Sequence, residues 1–522
     1  MKTPNPYLLM IFSAPVVALS QSAGNKQPPP ENKLPNIVYI LTDDLGYGDL
    51  TINNPEAKTS TPHIDRLASQ GIRFTDAHST SAVCTPTRYG IMTGRYSWRT
   101  VMKSGVLNGY SLPLIDKERT TVASLLKKNG YTTGVVGKWH LGLGWAKNSA
   151  AGNEPSPLKS ADENSAILKA IDPATLDFSQ PLTDGPLNHG FDYSYILPAS
   201  LDMPPYCYLE NDRLTTPLTE QTPGSDPANG TTSAFWRKGL MAQGFVFDQV
   251  TPTFTQKAIS FITKQSASGK PFFLYLPFPS PHTPWLPLKE YQGSSKAGEY
   301  GDFVNMVDGE VGKILKSLTN LGLDDNTIVF FTSDNGPFWR PNFVEQFDHK
   351  SAYLYRGMKA DAFEGGHRIP FIVRWPGKIK ANSQCAETIN LTNLLATCSG
   401  IVGNKLADNE GEDSFSILPL LLGKEKKYVR PEALIQHSSR GVFVVRQSDW
   451  KLILGLGSGG FSKPETIQPK EGEAPGQLFN LKEDPSETKD LYLQFPGKVA
   501  ELSAILKKYQ EAGRSRNLNL KY

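Results

Sequence analysis

Cysteine is scarce in this chain, with four among 522 residues. That is too few for a disulfide-built scaffold of this size. It leaves Cys385 and Cys398 free to pair with one another and sets Cys84 and Cys207 far apart in sequence. Net charge is nearly absent too: 54 Lys and Arg oppose 51 Asp and Glu, a balance of +3. A protein held to nucleic acid by a basic face carries a clear positive excess, so no nucleic acid is expected as a partner. Beyond the N-terminus no apolar run reaches about 18 residues, so no stable membrane span is expected. No internal repeat is found.

What is present describes a large globular protein. Hydrophobic residues make up 39% and aromatics 10%, which excludes disordered and fibrous classes. Forty Pro and 45 Gly place much of the chain in surface connections. Met1-Lys2-Thr3, the short apolar run Tyr7 to Leu19 and the small residues Ala18-Leu19-Ser20 read as a cleaved secretory signal. The expected organisation is therefore a signal peptide over 1–20, a linker over 21–34, a catalytic domain over 35–430 and a C-terminal subdomain over 431–522. The expected localisation is secreted or periplasmic.

Short β-branched runs at Asn36–Leu41, Thr132–Val136, Pro271–Phe278, Thr327–Phe331 and Pro370–Trp375 read as buried strands of a mostly parallel sheet. Helical patterns lie between them. Phe303, Met306, Val307, Val311, Ile314, Leu315 and Leu318 form one apolar stripe. Thr121 to Lys128 forms a second helix, closed by Gly130. This alternation predicts an α/β sandwich. Ala146 to Gly185 and Leu209 to Gly230 read as polar excursions. Beyond about residue 430, the runs Ala433–His437, Val442–Arg446, Trp450–Leu454 and Gln477–Leu481 predict a short antiparallel sheet, closed by a helix at Val499–Tyr509.

Four strands run directly into polar residues: Asp43-Asp44, Lys138-Trp139-His140, Pro281-His282 and Asp334-Asn335. Ligands of open α/β sheets bind beyond the carboxyl ends of the strands, so these groups are expected in one cleft. Asp43, Asp44, Asp334 and Asn335 are an all-oxygen donor set suited to a hard cation such as Ca²⁺. Lys138, His140 and His282 are available for charge stabilisation and proton transfer on an anionic substrate.

Cys84-Thr85-Pro86-Thr87-Arg88, continued by Thr93-Gly94-Arg95, resembles the signature of type I sulfatases, with Thr87 where Ser is more frequent. In that family the Cys is oxidised after translation to Cα-formylglycine. The likeness extends from Asn36 onward. It takes in Asp43-Asp44-Leu45-Gly46, Gly137-Lys138-Trp139-His140, Pro281-His282, Ser333-Asp334-Asn335-Gly336, Gly357-Met358-Lys359 and Leu478-Phe479-Asn480-Leu481. The resemblance implies an alkaline-phosphatase-like fold: a large mixed, mostly parallel sheet flanked by helices, plus the smaller C-terminal sheet and helix. It implies one Ca²⁺ per chain held by Asp43, Asp44, Cys84, Asp334 and Asn335. Cys84, Arg88, Lys138, His140, His282 and Lys359 would be catalytic.

In the implied mechanism one hydroxyl of the hydrated aldehyde attacks sulfur, and the other expels sulfate as the carbonyl re-forms. Arg88 steadies the diol, Lys138 bridges it to the sulfate, His140 is the base, His282 protonates the leaving alcohol and Lys359 holds a sulfate oxygen. The implied partners are a sulfated carbohydrate and a formylglycine-generating or anaerobic sulfatase-maturating enzyme. The expected substrate is an exo-cleaved glycan bearing 6-O-sulfated galactose or N-acetylgalactosamine. Two other readings are a phosphodiesterase or phosphonate hydrolase on the same scaffold, and a catalytically inactive sulfated-glycan-binding protein.

Four further features stand outside this scheme. Gly455-Leu456-Gly457-Ser458-Gly459-Gly460 fits a dinucleotide fingerprint but precedes no helix, and reads as a flexible hairpin loop. Asn229-Gly230-Thr231 reads as an exposed loop. His63, His78 and His437 read as structural. The aromatic-rich segment Asn188 to Tyr206 is expected to shape specificity at the cleft.

Overall fold

The structure, a computed structural model, describes residues 1, 2, 4, 34–148, 171–226 and 234–517. Most of the expected signal peptide and of the linker, the centre of the Ala146–Gly185 excursion and the Asn229-Gly230-Thr231 loop lie outside the described residues.

Ten strands form the main sheet. In chain order they are β1 (Asn36–Thr42), β2 (Ile72–Phe74), β3 (Thr132–Lys138), β4 (Tyr193–Leu197) and β5 (Leu209–Glu210). They continue as β6 (Arg213–Leu214), β7 (Phe272–Pro277), β8 (Thr327–Ser333), β9 (Phe371–Arg374) and β10 (Ser383–Cys385). Their spatial order is β10-β2-β9-β8-β1-β7-β3-β4-β5-β6. The central five, β8 through β4, are all parallel, with Tyr39 of β1 level with Tyr275 and Phe330 of its two neighbours. All seven residues of β1 are buried, as a strand covered on both faces requires. The outer pairs β8–β9, β9–β2, β4–β5 and β5–β6 are antiparallel, so the sheet is mixed.

Helices α1 (Pro62–Ser69), α2 (Cys84–Thr93), α3 (Val122–Lys128), α4 (Val250–Ser266), α5 (Gly298–Asn320) and α6 (Asn393–Ile401) flank this sheet. α5 buries Phe303, Met306, Val307, Val311, Ile314 and Leu318, the stripe legible in the sequence. α3 starts on Thr121, whose side chain accepts from the Ser124 N–H, and Gly130 follows its end at a φ of 86°.

The C-terminal strands β11 (Leu434–His437), β12 (Phe443–Gln447), β13 (Trp450–Ile453) and β14 (Gln477–Asn480) form an antiparallel sheet in sequence order. Helix α7 (Pro496–Glu511) packs on β12 and β13. Its core of Ile435, Val445, Leu452, Leu478, Leu502 and Tyr509 also takes in Tyr96 and Trp98, which follow α2 in the chain. From Leu34 on, the chain is one compact unit. Among the described residues no helix is long and apolar enough to cross a membrane.

Three expectations gain detail. The Leu209 to Gly230 excursion carries β5, β6 and a short strand at Glu220–Thr222. The segment from Asn188 contains strand β4, and its rings turn inward: Phe191 packs edge-on against Trp139, and Tyr206 is buried against Phe245 and Phe247. The glycine-rich loop between β13 and β14 is seated rather than free. The Ala362 N–H donates to the Ser458 carbonyl, and Asp361 accepts from the backbone of Phe461 and Ser462. All four cysteines are free thiols; Cys398 is buried in α6, and Cys385 is half-buried at the end of edge strand β10.

Candidate active site

Because β1, β3, β4, β7 and β8 run the same way, their carboxyl ends lie side by side, and each delivers polar residues to the same edge. β1 leads into Asp43 and Asp44, β3 ends on Lys138 before His140, β7 leads to His282, and β8 leads to Asp334 and Asn335. Asp44 and His140 both adopt left-handed backbone, at φ of 64° and 55°, which turns the chain sharply off the strand ends. Gly137 is required just before Lys138: at its φ of 138° a Cβ would stand 2.0 Å from the Pro277 carbonyl oxygen.

Cys84 opens α2, whose ten residues are all buried. Arg88 lies one helical turn further, on the same face. Its Nε and Nη2 donate to Asp334 Oδ2 at 3.0 and 2.8 Å, and Nη1 donates to the Lys138 carbonyl at 2.9 Å. Arg88 Nη2 also stands 3.3 Å from Asp43 Oδ2. Lys138 Nζ pairs with Asp43 Oδ2, and Lys359 Nζ donates to Asp44 Oδ2 at 2.8 Å. Asn335 Nδ2 donates to Asp44 Oδ1 at 2.7 Å, and His282 Nε2 stands 3.7 Å from Asp44 Oδ2. All the residues expected at the site are thus in one cluster, save that His140 faces the neighbouring backbone: its Nε2 donates to the Leu107 carbonyl at 2.7 Å.

Three carboxylates and three permanent cations cancel within this buried cluster. Burial raises the Cys84 thiol pKa, against the pull of Lys138 and Lys359, so the sulfur is held as a thiol. Burial would also raise Asp43, but Lys138, His282 and Arg88 keep it below the usual carboxylate range. Asp334 is pushed up to about 6 by burial and by the Asp43 charge. Burial, with Lys138 beside it, lowers His140 far below the ordinary imidazole value. With Nε2–H spent on Leu107, the neutral ring presents an unprotonated Nδ1, which is buried and has no partner.

Two oxygens are left over, Asp43 Oδ1 and Asn335 Oδ1, both buried and unpartnered. Unpaired buried acceptors are costly, and oxygen acceptors with neighbouring carboxylates fit a hard cation. The donor atoms of Asp43, Asp44 and His282 lie within 4.8 Å of one another. The oxygen-rich set as a whole favours Ca²⁺ or Mg²⁺ over a nitrogen-seeking metal.

Sequence reasoning missed Ser200. Its Oγ accepts from Lys138 Nζ at 3.1 Å and stands 3.4 Å from His282 Nδ1. The available signal was the run Tyr193 to Leu197, a fifth apolar strand leading into a short polar segment. Asp202, two residues on, is buried and faces His282, with its partner Arg237 near the surface.

A family model described as Sulfatase matches residues 35–403. The chain is 35% identical, over 90% of its length and 92% of the relative's, to an N-acetylgalactosamine-6-O-sulfatase of Bacteroides thetaiotaomicron. It is 32% identical to arylsulfatase A of Bos taurus, covering 88% and 83% of the two chains. A solved structure from a study of glycosaminoglycan metabolism by Bacteroides thetaiotaomicron superposes with a TM-score of 0.76 at 32% identity, covering 92% of this chain and all of that one.

Proposed function

From the premise that this chain belongs to the sulfatase family and hydrolyses sulfate esters, we propose that it removes 6-O-sulfate from galactose or N-acetylgalactosamine at the end of a sulfated glycan. The sugar assignment is supported by the relative at 35% identity named as an N-acetylgalactosamine-6-O-sulfatase. Secretion by way of residues 1–20, and a division into 35–430 and 431–522, belong to the same reading.

The observation that supports the catalytic assignment is the placing of Cys84. It is a buried, protonated thiol at the start of α2, ringed by Arg88, Lys138 and Lys359. A thiol so held is a poor nucleophile. Oxidised by a maturating enzyme to formylglycine, it supplies as its hydrate two hydroxyls on one carbon, one for attack on sulfur and one for release of sulfate. Asp43, Asp44, Asp334, Asn335 and residue 84 would hold a Ca²⁺, which would supply the positive charge that the internally neutral cluster lacks.

The chain's own residues account for the remaining chemistry. Arg88 is clamped by Asp334 and the Lys138 carbonyl and holds residue 84 in place. Lys138 and Lys359 are ammonium groups on either side of the carboxylate pair, positioned to take sulfate oxygens. His140, neutral with Nδ1 free, is the base that takes the proton as sulfate departs. His282 donates Nδ1–H to the Thr283 carbonyl at 2.6 Å, which fixes the ring so that Nε2 is the nitrogen offered to the leaving alcohol.

Two measurements test the reading together. Peptide mass analysis of competent protein should show an aldehyde at residue 84. Sulfate release from a panel of sulfated mono- and disaccharides should favour the 6-O-sulfated galacto sugars. An intact thiol in active protein refutes the nucleophile, and preference for another sulfate position refutes the substrate.

A further inference from the structure

At the C-terminal end of α2, opposite Cys84, the chain turns through Gly94 into a cavity of about 550 Å³ between this segment, β12 and the end of α7. Its lining includes Arg95, Trp98, Arg99, Lys103, Arg440 and Phe443. None of these belongs to the Cys84 cluster, and Arg95 lies a ten-residue helix, roughly 15 Å, beyond Cys84.

Positive charge is in excess here. Arg95 shares Glu412 with Arg119, Arg99 takes both oxygens of Asp413, and Arg440 shares Glu465 with Lys463. Six cations therefore divide three carboxylates. The sixth, Lys103, has no carboxylate among the described residues; its Nζ donates only to the Trp98 carbonyl. Burial and the neighbouring Arg95 and Arg99 charges lower its pKa, the mark of an ammonium with no counter-ion. One donor in the cavity's wall is unused: Trp98 Nε1 is buried without an acceptor, whereas Arg95 Nε stands 3.3 Å from Glu412 Oε1. Surplus charge calls for an oxyanion, while the half-buried Phe443 ring, edge-on to the buried Trp98, gives an apolar surface beside it.

We propose that this cavity is a second, non-catalytic binding site for an anionic sugar residue of the substrate polymer, with its sulfate or carboxylate between Lys103 and Arg440. The proposal rests on the reading that the substrate is a sulfated glycan. Its consequence is tethering: a chain held here raises the local concentration of further sulfated units near the cleft.

The test uses the Cys84→Ala protein, which does not turn over, titrated with a chondroitin-6-sulfate oligosaccharide by calorimetry. Lys103→Glu with Arg440→Glu should weaken binding at least tenfold and reduce its salt dependence, whereas Lys103→Arg with Arg440→Lys should retain it. In the Cys84-containing chain the same Glu pair should leave hydrolysis of a small aryl sulfate within twofold of the parent. A desulfated oligosaccharide identifies the anion: an equal loss assigns the carboxylate, and absence of binding to the parent assigns the sulfate. Oligosaccharide affinity untouched by the Glu pair, or weakened equally by the conservative pair, overturns the site. If the parent hydrolyses no sulfate ester yet the selective binding loss is found, the active-site reading fails and this one stands.

Discussion

At Cys84 and Arg88 the proposed chemistry rests on single atoms. On that proposal Cys84→Ala removes the group that becomes the aldehyde, so turnover should fall to background with unchanged stability. Cys84→Ser should at best perform one attack and accumulate a sulfated enzyme, because an ordinary alcohol has no second hydroxyl to expel sulfate. Steady multiple turnover by the Ser variant, measured as sulfate released per enzyme, would refute the diol chemistry. Arg88→Lys keeps the charge but loses the planar fork that reaches Asp334 and the Lys138 carbonyl at once. It should lower kcat/KM at least a hundredfold and reduce Tm, since Asp334 would be left under-paired in a buried site.

At the scale of elements, the strands do the positioning. Five parallel strands end together, and the sharp left-handed turns at Asp44 and His140 swing their side chains across the sheet edge. Gly137→Ala tests this arrangement: its Cβ would collide with the Pro277 backbone, and its φ is hostile to any side chain. A loss of about 3 kcal/mol or more is expected in denaturant unfolding, with activity falling further because Lys138 is next in the chain. A chelator, by removing the divalent cation proposed for this site, should abolish sulfate release and lower Tm, and Ca²⁺ should restore both, because Asp43 and Asn335 would regain an occupant for their unpartnered oxygens.

Across the whole molecule, the C-terminal sheet is fastened to the catalytic part by buried polar groups. Lys451 of β13 lies between Glu364 and Glu487, at 3.1 and 2.8 Å, with Arg368 completing the pairing of Glu364. Lys451→Met would leave two buried carboxylates facing each other and should destabilise the protein by about 3–5 kcal/mol, read from thermal or urea unfolding. His437 of β11 is a second fastening: its carbonyl accepts the Ala82 N–H, and its ring reaches Ser97 Oγ at 3.2 Å. Burial lowers its pKa from 6.5 to about 4. The unfolded chain therefore binds a proton that the folded chain refuses between those values. The neutral form's contribution is complete above about pH 6.5 and is lost as pH falls toward 4, to the extent of about 3 kcal/mol. His437→Gln should flatten that part of the stability profile.

Much was legible without coordinates, and for a local reason. Asp43, Lys138, His282 and Asp334 each follow an apolar run whose period and composition betray a buried strand, and the carboxyl ends of parallel strands meet by geometry alone. The spacing from Cys84 to Arg88 is one helical turn and needs no tertiary knowledge. Ser200 escaped because β4 is rich in tyrosine and reads as a decorated loop until its place beside β3 is seen. The seating of the glycine-rich loop on Asp361, the fastening of β11 beneath the turn before Cys84 and the surplus of cations around Lys103 join residues from about one hundred to more than three hundred positions apart. Periodicity records which side of its own element a residue faces. Which distant side chains share a dielectric, a proton or a counter-ion is settled only when the elements pack.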